Sequence, residues 1–182
     1  MWDNVDDGLD LFMFEDAVTI EEVYAWGNGF NRWGFDQFEG DGNGFKLGIE
    51  DGPAADHVVR NSIAFGNAKK GFIDNGNTGK LTFERSTAWN NGDNGFNMRS
   101  SPSHLTANIA AENTNDDVKL VDSVTSSGNS WDSGDAWSNS SFVSVDYSTL
   151  AGERGPDGKV AASDFLLPVS GEEIGASTKE GI

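Results

Sequence analysis

Short runs of alternating apolar and polar residues, each closed by a turn residue, fill most of this chain. They are too brief for helices, and alternation places successive side chains on opposite faces of a strand. The runs recur at fixed internal spacing. Ala25-Trp26-Gly27-Asn28, Ala64-Phe65-Gly66-Asn67, Ala88-Trp89-Asn90-Asn91 and Ala110-Ala111-Glu112-Asn113 share one frame, and an apolar residue (Ile20, Val59, Phe83 or Leu105) stands five positions before each Ala. Four residues after Asn67, Asn91 and Asn113 begin Gly71-Phe72-Ile73, Gly95-Phe96-Asn97-Met98 and Asp117-Val118-Lys119-Leu120. The chain opens in the same way, with Trp2-Asp3-Asn4 followed by Gly8-Leu9-Asp10-Leu11. The repeat is 24 residues from Ala64 to Ala88 and 22 from Ala88 to Ala110. A period of that size with two or three strands per turn predicts an all-β solenoid.

Asn4, Asn28, Asn67, Asn91 and Asn113 are then expected to stack as an amide ladder at one corner; the plainer alternative is ordinary turn chemistry. One coil breaks the rhythm, because Asn28 to Gly44 spans 16 residues instead of four. Loops bulging from a rigid scaffold commonly carry binding surfaces. A competing register takes Gly34-Phe35-Asp36 as the strand. The coils are expected over residues 1–122, and 123–182 reads as a strand-and-loop tail covering an open, aggregation-prone end. The chain begins in mid-coil, so further coils are expected upstream.

Thirty acidic against 12 basic residues give a net charge of −18. That field repels phosphate and argues against nucleic acid or an anionic membrane as partner. It suits a cation-binding protein or a salt-adapted host. Cysteine is absent, which removes disulfides and thiol chemistry. No stretch reaches the roughly 20 apolar residues of a membrane span. Met1 is followed directly by Trp2, Asp3 and Asn4, without a leader pattern, so secretion would depend on residues upstream.

The chemistry concentrates in two strands. Asp6 and Asp7 occupy the turn after Asn4, and Asp10 is third in its strand. Lys46 is third in Gly44-Phe45-Lys46-Leu47, so alternation puts Asp10 and Lys46 outside and adjacent while Leu9, Leu11, Phe45 and Leu47 point inward. Clustered hard oxygens favour Ca²⁺ over softer metals. The bland reading is a solvated acidic turn paired with a lysine.

Asp6-Asp7-Gly8-Leu9-Asp10, Gly42-Asn43-Gly44-Phe45-Lys46-Leu47-Gly48 and Asn61-Ser62-Ile63-Ala64-Phe65-Gly66-Asn67 together resemble the polysaccharide lyase family 9 pectate lyases. Gly155-Pro156-Asp157-Gly158 and Asp164-Phe165-Leu166 resemble that family's C-terminal end. The resemblance implies a right-handed parallel β-helix and Ca²⁺-dependent β-elimination of polygalacturonate. By position it makes Asp6, Asp7 and Asp10 metal ligands and Lys46 the catalytic base, with a further acidic ligand one coil upstream. It also implies a secreted enzyme that acts as a monomer.

Other signals are weaker. Arg32, Lys69, Lys70 and Arg99 are candidate contacts for substrate carboxylates, Trp33 is a candidate sugar platform, and Asp41 a candidate contact to Ca²⁺ or substrate. Trp26 and Trp89, at matching repeat positions, are expected to pack. Glu39-x-Asp41-x-Asn43-Gly44 with Glu50 mimics an EF-hand loop but lacks helical flanks. His57 and His104 suggest no metal pair. The alternatives to a pectate lyase are a non-catalytic β-helix that binds polysaccharide or serves as a surface module, and a lyase acting on another acidic glycan.

Overall fold

The computed structural model describes residues 1–180. Fourteen short strands alternate among three parallel sheets and wind into a right-handed parallel β-helix. The first sheet is β1 (Leu9–Asp10), β4 (Phe45–Lys46), β7 (Phe72–Ile73), β10 (Phe96–Met98) and β13 (Val118–Leu120). The second runs from β2 (Thr19–Glu21) through β5 (Val58–Arg60), β8 (Thr82–Glu84) and β11 (His104–Thr106) to β14 (Thr125–Ser127). The third holds β3 (Tyr24–Trp26), β6 (Ile63–Phe65), β9 (Thr87–Trp89) and β12 (Ile109–Ala111). Strand pairing thus continues to Ser127.

The register follows the sequence repeat residue for residue. Ala25 pairs with Ala64, Ala64 with Ala88, and Ala88 with Ala110, all pointing inward. Phe45, Phe72 and Phe96 occupy one inward column, and their rings stack at 4.7 and 4.8 Å, the interval between hydrogen-bonded strands. All three are fully buried, and each contributes about 2–3 kcal/mol of apolar burial.

The asparagine ladder forms as expected. Each Oδ1 accepts both the backbone N–H and the Nδ2 of the asparagine one coil earlier, from Asn4 through Asn28, Asn67 and Asn91 to Asn113. Glycine precedes the first four strands of this sheet because this corner leaves no room for a side chain; the last, β13, follows Asp117. A Cβ on Gly44 would lie 2.7 Å from the Gly71 carbonyl and 3.0 Å from Asn67 Nδ2. A second ladder, Asn108 on Asn129, fills another corner near the last coil.

The insert leaves the barrel at Gly29 and returns at Gly42, where the two backbones touch. Phe35 lies exposed within it, outside any strand, so Gly44–Leu47 supplies the rung and the competing register is not used. The EF-hand-like spacing runs through β4 with no helix on either side.

The tail departs from a simple end cover. Trp131 does sit over the end of the core against Phe96, 5.5 Å between centroids. The rest lies along the flank of the third sheet, whose outward residues are large and apolar. Phe165 packs edge-on to Phe65 at 5.0 Å and to Trp89 at 5.8 Å, while Phe142, Leu150, Val160 and Ala176 complete this second core. A flank of Tyr24, Trp26, Ile63, Phe65, Trp89 and Ile109 needs such a cover, because an exposed apolar face that size would drive association. Trp26 and Trp89 are packing residues accordingly.

Candidate functional site

Parallel pairing sets Asp10 directly beside Lys46, both on the outer wall of the first sheet. Lys46 Nζ stands 3.3 Å from Asp10 Oδ2, 3.4 Å from Asp7 Oδ2 and 2.8 Å from Asp41 Oδ2. The Lys46 side chain is only 11% exposed, so this amine works in a sheltered position.

Asp7 is the buried member, its side chain 1% exposed. Its Oδ1 accepts the backbone N–H of Asn43 at 2.7 Å and the Asn43 Nδ2 at 2.9 Å. Its Oδ2 is buried without a hydrogen-bond partner. Burial raises the Asp7 pKa above the usual aspartate range; the Asn43 bonds pull it down, Asp6 adds to the rise and Lys46 opposes it. Asp6 Oδ1 accepts the backbone N–H of Asp41 at 2.6 Å and so ties the base of the insert to the first turn. Asp6, Asp7 and Asp41 each offer a carboxylate oxygen within 4.8 Å of the others. Three hard oxygen donors, one of them buried and held only by its ion pair to Lys46, fit a divalent cation such as Ca²⁺. The cluster takes in Asp41, which the sequence offered as a contact to Ca²⁺ or substrate, whereas Asp10 faces Lys46 and accepts the Phe12 N–H at 3.0 Å. The difference comes from the insert, which brings Asp41 back over the turn.

Burial alone would lower the Lys46 pKa. The hydrogen bond to Asp41 and the charges of Asp7, Asp10 and Asp41 outweigh it and hold the amine well above the ordinary lysine value. In this arrangement Lys46 is an ammonium ion.

The weaker candidates scatter. Lys70 pairs with Asp93 at 2.6 Å and Arg32 with Asp3 at 3.0 Å. Lys69 joins the wall through its backbone, donating to the Gly42 carbonyl. Trp33 is 54% exposed and leans on Phe35 at 6.2 Å. Arg99 is exposed at the end of β10. His57 is fully buried and His104 bonds Thr125, so neither joins the carboxylates. Sequence reasoning missed Asn43 as the residue that positions Asp7; its place just before the Gly44 rung was the available signal.

Comparison with known proteins agrees with this fold. Residues 1–115 match the family model described as Pel9A-like, right handed beta helix region. The chain is 51% identical to pectate lyase PEL9 of Emericella nidulans over 98% of its own length and 48% of that protein. It is 39% identical to pectate lyase L of Dickeya dadantii over 98% of itself and 42% of that protein. The crystal structure of pectate lyase Pel9A superposes with a TM-score of 0.80 at 36% identity, covering 94% of this chain and 42% of that one. A rhamnogalacturonan lyase gives 0.73 at 25% identity, covering 96% and 48%. The chain spans under half the length of these proteins. With its fold and its first 115 residues in agreement, the chain belongs to the Pel9A-like right-handed β-helix family of the polysaccharide lyase family 9 pectate lyases.

Proposed function

We propose that this protein is a pectate lyase that cleaves de-esterified galacturonan by β-elimination, with Lys46 as the base and Ca²⁺ as cofactor. One observation carries the reading: a sheltered lysine amine lies within 3.4 Å of three carboxylates, one of which, Asp7, is almost fully buried. A solvated acidic turn would leave its oxygens in water.

Asp6, Asp7 and Asp41 are the residues to hold Ca²⁺, and Asp10 adjoins them through Lys46. Bound Ca²⁺ supplies neutralisation of the uronate carboxylate and of the ligands that otherwise hold Lys46 charged. Neutral Lys46 takes the C5 proton onto Nζ. The C5–H electron pair becomes the C4–C5 double bond, the C4–O4 bond breaks, and the departing oxygen acquires a proton from solvent. Asn43 fixes Asp7 throughout, so the wall does not reorganise as charge moves. The substrate is an extracellular polymer, and we assign the protein to that compartment, acting as a monomer.

The test is ultraviolet absorbance of the unsaturated product from polygalacturonate with Ca²⁺, for wild type and for Lys46→Ala and Lys46→Arg. Product from wild type and none from Lys46→Ala is expected. A wild type silent on polygalacturonate refutes the assignment of substrate. Rhamnogalacturonan belongs in the same assay, since the likeness to a rhamnogalacturonan lyase favours it as the competing polymer.

A further inference from the structure

Asparagine is abundant in this chain, with 17 copies, and those of the two ladders are committed to neighbouring coils. One copy alone heads an Asn-x-Ser/Thr triplet: Asn139, in Asn139-Ser140-Ser141. That triplet is the acceptor pattern for N-linked glycosylation, a short motif that needs the right structural setting. Asn139 is exposed and opens a 3-10 turn, Asn139–Ser141, on the tail. Its Oδ1 accepts the Trp89 Nε1–H at 2.9 Å, and its backbone N–H donates to Glu112 Oε1 at 3.0 Å. Among the described residues its Nδ2 has no acceptor. The amide is anchored through its oxygen, while the nitrogen that carries a sugar is uncommitted. N-glycosylation replaces one Nδ2 hydrogen and leaves Oδ1 intact, so the Trp89 bond survives it.

Beside the triplet, between the last coil and the tail, lies a cleft of about 800 Å³ lined by Asp135, Trp137, Ser140, Ser141, Val169 and Glu172. Val169 is 62% exposed and its N–H donates to the Ser141 carbonyl at 3.0 Å; Val143, on the same ribbon, is 54% exposed. Serines, carboxylates and an indole suit the hydroxyl-rich surface of a sugar, and exposed valines on a tail ribbon gain from a polar cover.

We propose that Asn139 is an N-glycosylation site and that the glycan covers this cleft and its valines. The extracellular assignment above underlies the proposal, and the 51% identity to a protein of the fungus Emericella nidulans fits a eukaryotic secretory route. The co-reactant is a lipid-diphosphate-linked oligosaccharide, brought by the host's transferase. Asn139 Nδ2 bonds to the sugar C1, the C1–O bond to phosphate breaks, and the lipid diphosphate leaves with that electron pair. A base on the transferase takes the Nδ2 proton. The exposed position of Asn139 lets the chain fold with the glycan in place. Trp89 belongs to the third sheet and Lys46 to the first, so the glycan leaves the wall of the lyase reading open.

The experiment secretes the chain from a yeast behind an added leader and maps its peptides by mass spectrometry, before and after treatment with a peptide N-glycosidase. Expected is a glycan on the Asn139 peptide of wild type and of Ser141→Thr, with complete loss in Asn139→Gln and Ser141→Ala. The wild-type map decides the site whether or not a variant folds, and an unmodified Asn139 in secreted, folded wild type overturns it. Light scattering reads the covering role. Deglycosylated wild type should associate at concentrations where the glycosylated form stays monodisperse, and Val143→Ser with Val169→Ser should remove that difference. Identical scattering of the two wild-type forms overturns the cover. Both forms should release unsaturated product from polygalacturonate equally, so silence of both sinks the lyase reading and leaves the glycan result standing.

Discussion

Asn67→Ala should be among the most damaging single substitutions outside the wall of the first sheet. The Asn67 side chain is 1% exposed and sits mid-ladder. Its Nδ2 donates to the Ala25 carbonyl at 3.1 Å and to Asn91 Oδ1 at 2.9 Å. Its Oδ1 accepts from Asn28 N at 3.3 Å and Asn28 Nδ2 at 2.8 Å. Alanine removes all four bonds and leaves buried donors and acceptors on two neighbouring coils without partners. At about 1–3 kcal/mol for each group stranded, discounted because some pair with water or with each other, the loss is about 3–5 kcal/mol. Asn67→Asp should be no better, because a second oxygen would face the Ala25 carbonyl and Asn91 Oδ1. Asn4→Ala is the control: Asn4 is exposed at the first rung and its side chain bonds only Asn28 Oδ1, so its loss should cost about 1 kcal/mol. Urea midpoints with the slope held common read both values. If Asn67→Ala costs less than about 1 kcal/mol, or costs no more than Asn4→Ala, the ladder is decoration and the corner is held by its backbone alone.

Four further outcomes test the site and its surroundings. Lys46 is held protonated by Asp7, Asp10 and Asp41, so turnover should rise with pH and the rise should move to lower pH as Ca²⁺ saturates; a rate maximum near pH 5 would rule Lys46 out as base. Asp7→Asn should abolish the thermal stabilisation that Ca²⁺ gives wild type, about 2.7 kcal/mol at a hundred times its Kd, read by melting with and without chelator; an equal shift in the variant would move the cation elsewhere. Burial lowers the His57 pKa, against a smaller opposing pull from Asp56, and its Nδ1 accepts the Val18 N–H at 3.0 Å. The folded state therefore binds fewer protons than the unfolded one, so this contribution is complete above the unfolded value of about 6.5 and is lost as pH falls. His57→Asn, which keeps an acceptor near Nδ1, should flatten that acid slope in urea titrations, and an unchanged slope would exonerate the histidine. Gly44→Ala should cost about 2–4 kcal/mol or fail to fold, because its Cβ would meet the Gly71 carbonyl at 2.7 Å.

Most of the solenoid was legible because its rungs are copies: one offset from Asn to the next strand locates Leu9, Phe72, Phe96 and Val118, and the likeness of Gly44-Phe45-Lys46-Leu47 to Gly8-Leu9-Asp10-Leu11 adds Phe45 to the same column. The meeting of Asp10 and Lys46 follows from their shared third position in these two segments and from the two-residue period of strands. What resisted was whatever the repeat does not encode. The path of the insert, which returns Asp41 over Asp6, depends on a Gly29–Gly42 contact with no counterpart in the other coils. The route of the tail was equally hidden, since Phe142 and Phe165 find Phe65 and Trp89 across long intervals that carry no periodic signal.

The crossing of backbones at Gly29 and Gly42 works as a knot at the neck of a purse. Chain can be paid out beyond it, or drawn in, and the rung that starts at Gly44 still begins at the same height beside β1. Reach beyond the sheet and the height of the Lys46 rung are thereby set by separate stretches of sequence, with Asp41 at the neck the one insert residue that touches the amine. Grafting a longer or differently charged excursion between Phe30 and Gly40 should retune which polymers are grasped while the reacting nitrogen stays where it is.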